Sequence, residues 1–413
     1  MAEEKKEKVE KKDGLQTLMD IEARINKRFE HISDLPLADA SGFWTIQGLE
    51  KVQSKEGKLF GIFSKKKLSD EQLTDLRRSA LLSPGKTQTE LVKLKKMYPN
   101  HPELLMLSAI CTHGNVMNSG GSKQLQGLKS AVKEAATALM SNGISIYNAE
   151  NFFKIYYIFI ERIRREQKKV FDEVSMDPRL DTFKRKIALE MTLVDYLASE
   201  KKKTLNIIAH LKKKLKSSAY SQYFSHFQLT KACQLVGEGQ PKEKLDFCTA
   251  SEFIAFTYAL FIAFSKIPIL YPLVDQYLKL IPAGNLGLHL RKVSVNSSRH
   301  FSMFRQYTIL GEHQKLKKIS QTIFGESLAC IKKTENATLY QVYETDPFFN
   351  LAYITELTVG LFGKGDTAKM VRTATVAMET VIKKDMSKGH LFTETAKNHT
   401  HKLANLGGDG ETA

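Results

Sequence analysis

The sequence predicts an all-α protein built from antiparallel helix pairs, with a solenoid-like array of such pairs as one arrangement and a less regular N-terminal segment. Three observations carry this reading. Helix-start punctuation recurs along the chain, strand-like alternation is scarce, and apolar residues repeat at helical spacing. Ser69 with Gln72, Thr87 with Glu90, Asn100 with Glu103 and Thr249 with Glu252 have capping-box spacing. In that motif the first side chain accepts from an orphan amide and the later one reaches back. Asp177-Pro178 and Asp346-Pro347 fit an N-cap followed by proline, whose missing N–H costs little in a first turn. Gly114, Gly143, the Gly237-Glu238-Gly239 turn, Gly284 and the Gly360/Gly363/Gly365 cluster read as stops.

Taken in order, residues 1–14 read as a solvated mixed-charge tail. Residues 15–68 hold an amphipathic helix (Leu15, Leu18, Met19, Ile25, Phe29) and then a glycine-interrupted stretch. Helices are expected at 70–82, 87–97, 101–112, 121–141, 149–173, 179–199, 203–216 and 219–236, a basic block spanning 69–237. A second block at 238–385 holds 250–265, 269–280, 297–310, 312–332, 347–361 and 367–385, with the seam at the GEGQP turn, 237–241. Residues 386–413 read as a polar, flexible tail.

The chain has 413 residues, 42% of them apolar, enough to bury a substantial core. Its 62 basic against 45 acidic residues leave a formal charge of +17. Charged residues make up 26%, an ordinary share, so the excess is one of sign and not of density. Cys111, Cys233, Cys248 and Cys330 lie too far apart for a zinc or redox motif and read as reduced thiols of a cytoplasmic protein. No apolar run in the first fourteen residues resembles a secretory signal. Phe253 to Phe264 is nearly all apolar. Its helix would be about 18 Å long at about 1.5 Å per residue, against a bilayer core of about 30 Å. It reads as a buried central helix.

Residues 97–110, MYPNHPELLMLSAI, resemble the turn and helix start of tetratricopeptide-type repeats. Tyr98-Pro99 ends one helix, Pro102 opens the next, and Leu104, Leu105 and Leu107 are placed to face inward. The resemblance covers about fourteen residues and implies helical hairpins and a protein-binding role.

Candidate chemistry is sparse, and neither a cofactor nor a metal is implied. ALLSPGKT at 80–87 has the loosest spelling of a phosphate-binding loop, but no strand precedes it and Pro84 removes a donor from the cradle. A turn and a capped helix explain the same letters. His399 and His401, with His390, lie in the polar tail without neighbouring carboxylates or thiolates. Cys111 and His113 lack a third group to orient a nucleophilic pair.

The strongest signal is charge. Between Glu200 and Glu238 the chain has eight lysines and no acidic residue, and Asp275 to Glu312 encloses a second acid-free stretch with Lys279, Arg291, Lys292, Arg299 and Arg305. Such blankets attract acidic partners through a field that salt screens. In 201–216 the face Leu205, Ile208, Leu211 and Leu215 reads as core, and Lys201, Lys202, Lys203, Lys212, Lys213, Lys214 and Lys216 are the candidate partner-binding residues. Three functions fit. A non-catalytic intracellular scaffold or adaptor would bind an acidic protein. A nucleic-acid binder would use residues 201–231, with Tyr220, Tyr223, Phe224 and Phe227 as stacking rings. A peripheral protein would use the same surface, or the Phe60-to-Lys67 cluster, on an anionic membrane.

Overall fold

A computed structural model describes residues 68–99, 101–141, 144–215, 220–282, 284–334 and 347–385, with a few positions between 20 and 27 and between 397 and 406. The glycine-interrupted stretch, the Phe60 cluster, Lys216 and the caps expected at Asn100 and Asp346 lie outside them. Among the described residues the protein is all-α: fourteen α-helices, two short 3-10 turns and no strand. It divides into two units, the first ending at Phe224 and the second beginning at Ser225. That division precedes the Gly237–Pro241 turn, because the helix before the turn packs against the helix after it.

Unit 1 contains α1 (Asp70–Leu82), α2 (Pro84–Met97), α3 (Pro102–Met117), α4 (Gly121–Met140), α5 (Ile146–Ser175), α6 (Asp181–Ser199) and α7 (Lys201–Lys214). The Ser69 and Gln72 side chains form the expected capping box at α1. Thr87 does not cap. α2 starts earlier, with Pro84 in its first turn, and the Thr87 hydroxyl donates to Ser83 O at 3.0 Å. Gly85, Lys86 and Thr87 therefore belong to a helix. Tyr98 ends α2 and Pro102 opens α3, where Leu104 and Leu107 are fully buried and Leu105 half-buried. α3 runs past Gly114 to Met117.

Successive helices pack antiparallel. Gly114 approaches Pro84 while Gln88 bonds Ser108, joining α2 to α3. Thr112 bonds Glu134 and Gln124 bonds the Met117 carbonyl, joining α3 to α4. A Cβ on Gly127 of α4 would lie 2.2 Å from Val116 Cγ1, so the bare glycine makes room for the Val116 side chain of α3. Phe152, Phe153, Tyr156, Tyr157 and Phe159 bury an aromatic face of α5 in the middle of the unit.

Unit 2 contains α8 (His226–Gly237), α9 (Ala250–Phe264), α10 (Tyr271–Leu280), α11 (Leu286–Leu310), α12 (His313–Thr334), α13 (Pro347–Phe362) and α14 (Lys364–Asp385). The helix expected from 219 begins only at His226, behind a capping box of Ser225 and Gln228. α11 begins at Leu286, well before the expected 297, because the Asn285 side chain accepts from Leu288 N at 3.0 Å. Gly363, at φ +83°, closes α13 in a left-handed conformation that side chains disfavour. α9 is the buried helix its sequence predicts: Phe253, Phe261 and Phe264 are each at most 1% exposed, and Phe261 stacks on Tyr277 at 3.7 Å. No helix among the described residues is long and apolar enough to cross a membrane. A second cluster holds Phe348, Leu351, Ala374 and Met378, with Leu403 fully buried among them. The described positions from 397 to 406 are helical, so part of the segment that reads as a polar tail packs on this unit.

Candidate functional site

α7 grows from Glu200, which follows the last residue of α6. Its inner face is Thr204, Ile208 and Leu211, with Leu205 and Leu215 half-buried beside it. Three contacts fix it antiparallel on α5: the Lys201 Nζ–Glu161 ion pair at 3.8 Å, the hydrogen bond from the Tyr157 hydroxyl to Thr204 Oγ1 at 3.0 Å, and the Lys212 Nζ–Glu150 ion pair at 3.0 Å. The opposite face is Lys202, Lys203, Asn206, Ala209, His210, Lys213 and Lys214, all exposed and with no carboxylate among them. Lys212 to Lys214 also occupy the last turn, where cations complement the helix dipole.

The seven candidate lysines thus separate by role. Lys202, Lys213 and Lys214 stand on the exposed face. Lys203 does too, with Glu200 at 3.5 Å. Lys201 and Lys212 are drawn to carboxylates of α5 that lie far away in sequence.

Lys212 belongs to a polar network that the sequence pattern did not reveal. Glu150 receives Lys154 at 2.9 Å, Lys212, and the hydroxyl of Tyr220. Burial pushes its carboxyl up, but these three donors outweigh burial and hold it below the usual range. Lys212 also lies 5.0 Å over the Tyr220 ring, and Tyr147 meets that ring edge-on. Arg77 sits 5.0 Å over Tyr147 and donates to Glu103, a carboxylate only 2% exposed. Glu103 also accepts from the Tyr223 hydroxyl at 3.1 Å. Burial and the neighbouring carboxylates push both Tyr220 and Tyr223 well above the usual phenol range, and Tyr147 up to about 12. Two backbone bonds, Tyr147 N to Tyr220 O at 3.1 Å and Phe224 N to Ile144 O at 2.6 Å, clamp the same segment.

This network turns the candidate stacking rings inward. Tyr220 and Tyr223 spend their hydroxyls on carboxylates, Phe224 is 2% exposed, and Phe227, at 77%, is the exposed ring of the four. In the second acid-free stretch Lys279 and Arg305 are exposed, but Arg299 is not. Arg299 is 12% exposed and pairs with Asp275, and its guanidinium also donates to Asn296 at 2.8 Å. His300 beside it bonds Glu326 at 2.9 Å.

Each unit holds a cavity among the described residues. In unit 1 a space of about 320 Å³ opens between α3, α4 and α5, with Met117, Leu128 and Ile158 as apolar walls and Arg162 and Arg165 beside them. In unit 2 one of about 300 Å³ has Phe324, Phe362 and Met370 with Lys317, Asp366 and Lys369 around them.

The thiols of Cys111, Cys233 and Cys248 are not activated, since each is pushed up from its ordinary value. Cys111 is fully buried, and burial together with Glu134 pushes it up to about 11. His113 is driven down by burial, so it would be a neutral partner. No cluster of three or more His, Cys, Asp or Glu among the described residues is arranged to hold a metal ion. Comparison with protein-family models, with curated proteins and with solved structures finds no match. The fold defines the class: an all-α protein of antiparallel helix pairs.

Proposed function

We propose that this chain is a non-catalytic helical scaffold or adaptor whose α7 face binds an acidic protein. The carrying observation is that face itself: Lys202, Lys203, His210, Lys213 and Lys214 exposed along one side of a helix, with neither a carboxylate nor a large apolar side chain among them. At about 1.5 Å per residue, Lys202 and Lys214 are about 18 Å apart along the axis, a span that suits an extended acidic segment. A field of one sign speeds encounter with such a partner and weakens with salt. A face without apolar wedges is poorly suited to insertion in a bilayer. A single-strand binder would want rings beside its lysines, and Tyr220, Tyr223 and Phe224 are committed elsewhere.

The test is a salt series with the full chain and the triple variant Lys202→Gln, Lys213→Gln, Lys214→Gln. Lys212 is kept, because its loss would also strip Glu150 of a donor. Lys and Gln have similar helix propensity, so helicity should be unchanged. Polyglutamate should bind the variant several-fold more weakly at low salt, with the difference shrinking as screening grows. Equal binding by two equally helical proteins would retire this face. Tighter capture of an oligonucleotide than of polyglutamate at matched charge would favour nucleic acid instead.

A further inference from the structure

The floor of the unit 2 cavity is Phe324 of α12, Phe362 at the end of α13 and Met370 of α14, each half-buried. Phe324 also packs against the cluster of Phe348, Leu351 and Met378, so the floor is held from behind. Three threonines line the walls. Thr358, Thr367 and Thr373 donate to carbonyls of their own chain: Ile354 O at 2.6 Å, Gly363 O at 2.7 Å and Lys369 O at 2.8 Å. These donors are spent, and recognition falls to the charged groups.

Three charged side chains line the same space: Lys317 on α12, and Asp366 and Lys369 on α14, all exposed. None of them forms an ion pair among the described residues. Asp366 and Lys369 stand three apart on α14, a spacing at which opposite charges can meet, yet they do not pair. Asp366 lies in the first turn of α14, where the helix dipole favours a negative charge. Two positive groups and one negative group therefore stay open around an apolar floor. At about 300 Å³ the cavity is at the bottom of the range for small-molecule sites, about 300–1,000 Å³. That is room for one ring with a short polar head.

We propose that this cavity binds a free α-amino acid with a large apolar side chain. The side chain lies on Phe324, Phe362 and Met370, the carboxylate meets Lys317 and Lys369, and the ammonium meets Asp366. The two signs together select this class. An aromatic acid would leave Asp366 without a cation, and an amine would leave both lysines without an anion. An interior residue of a peptide carries neither backbone charge, and a peptide terminus supplies only one. The inference uses none of the α7 residues, so it and the acidic-partner reading fail independently.

The experiment is a calorimetric titration of the full chain with phenylalanine, with phenylpropionate, which lacks the ammonium, and with phenethylamine, which lacks the carboxylate. Phenylalanine should bind at least about tenfold tighter than either analogue, since each forfeits a charge-assisted contact. Asp366→Asn should erase the advantage over phenylpropionate. Lys317→Gln combined with Lys369→Gln should erase the advantage over phenethylamine. All three positions are exposed, so the variants should stay folded, which thermal unfolding checks. The comparison of the three ligands on wild type decides the matter even where a variant misfolds. Lys318→Gln removes a neighbouring exposed charge that does not line the cavity and should change nothing. No saturable binding of phenylalanine, equal binding of phenylalanine and either analogue, or a preference untouched by the charge variants overturns the proposal. A loss as large in Lys318→Gln as in the double variant overturns it too, because the general field and not the cavity would then hold the carboxylate.

Discussion

Glu103 is a carboxylate that unit 1 has almost removed from water, and its two partners come from opposite ends of the unit. Arg77 reaches it from α1 and Tyr223 from the segment after α7. Glu103→Ala should leave Arg77 without its anion and the Tyr223 hydroxyl without an acceptor. Breaking a fully buried pair costs about 3–5 kcal/mol; Arg77 keeps 28% exposure, so about 2–3 kcal/mol is expected from denaturant unfolding. Glu190 on α6 has the opposite problem: burial pushes its carboxyl up to about 7, with Lys186 opposing. An unfolded glutamate titrates near about 4.3, so between the two values the folded state holds a proton that the unfolded state has lost. That contribution to stability is present below the lower value and disappears as pH rises through about 7. Glu190→Gln should therefore raise the thermal midpoint at pH 8 clearly more than at pH 5. Equal shifts at both pH values would place the Glu190 carboxyl in an ordinary environment.

The close crossing of α3 and α4 invites a test at the level of the element. Gly127→Ala would gain up to about 1 kcal/mol of helix propensity, yet its Cβ would collide with both Cβ and Cγ1 of Val116. Overpacking costs about 1–3 kcal/mol, so a net loss is expected. Val116→Ala in the same chain should recover most of it, a coupling that a double-mutant cycle measures. Most elements were legible because their signals are local: the Ser69 and Thr249 boxes, the Tyr98–Pro102 turn and the apolar run of α9 act within one turn of chain. The Ser225–Gln228 box has the same spacing and marks the true start of α8, which leaves the aromatic run from Tyr220 to Phe224 outside the helix expected from 219. What overrides that run is not local. Residues 220–224 give their backbone to Ile144 and Tyr147 and their hydroxyls to Glu103 and Glu150, and helical periodicity carries no trace of partners seventy or more positions away.

For the molecule as a whole the same limit applies to charge. The acid-free stretches were visible as letters, but folding brings Glu150 and Glu161 onto Lys212 and Lys201, and Asp275 onto Arg299. The exposed α7 face keeps its sign because Glu150 and Glu161 pair with Lys212 and Lys201, and no carboxylate stands among Lys202, Lys213 and Lys214. Counting lysines located the helix; the antiparallel seating on α5 decided which lysines remain open. The cavity beside it was invisible to sequence reading, since Met117, Leu128 and Ile158 look like any core residues until three helices leave a gap among them.

The burial of the thiols turns the protein into its own recorder of motion. Cys111 in unit 1 and Cys233 and Cys330 in unit 2 are each no more than 2% exposed, whereas Cys248 is half-buried. An alkylating reagent needs both access and thiolate, and the closed fold withholds access from the first three. In native buffer Cys248 should be modified first, on access alone, since burial, Glu252 and Asp246 push its thiol up to about 12, and the others only as fast as their surroundings open. Residue-resolved labelling by mass spectrometry would then report two opening rates, one for each unit, without any engineered probe. If Cys111 reacted as quickly as Cys248, the helices around it would be breathing on the timescale of the reagent, and the pocket that α3 helps to wall would be a transient shape, not a standing one.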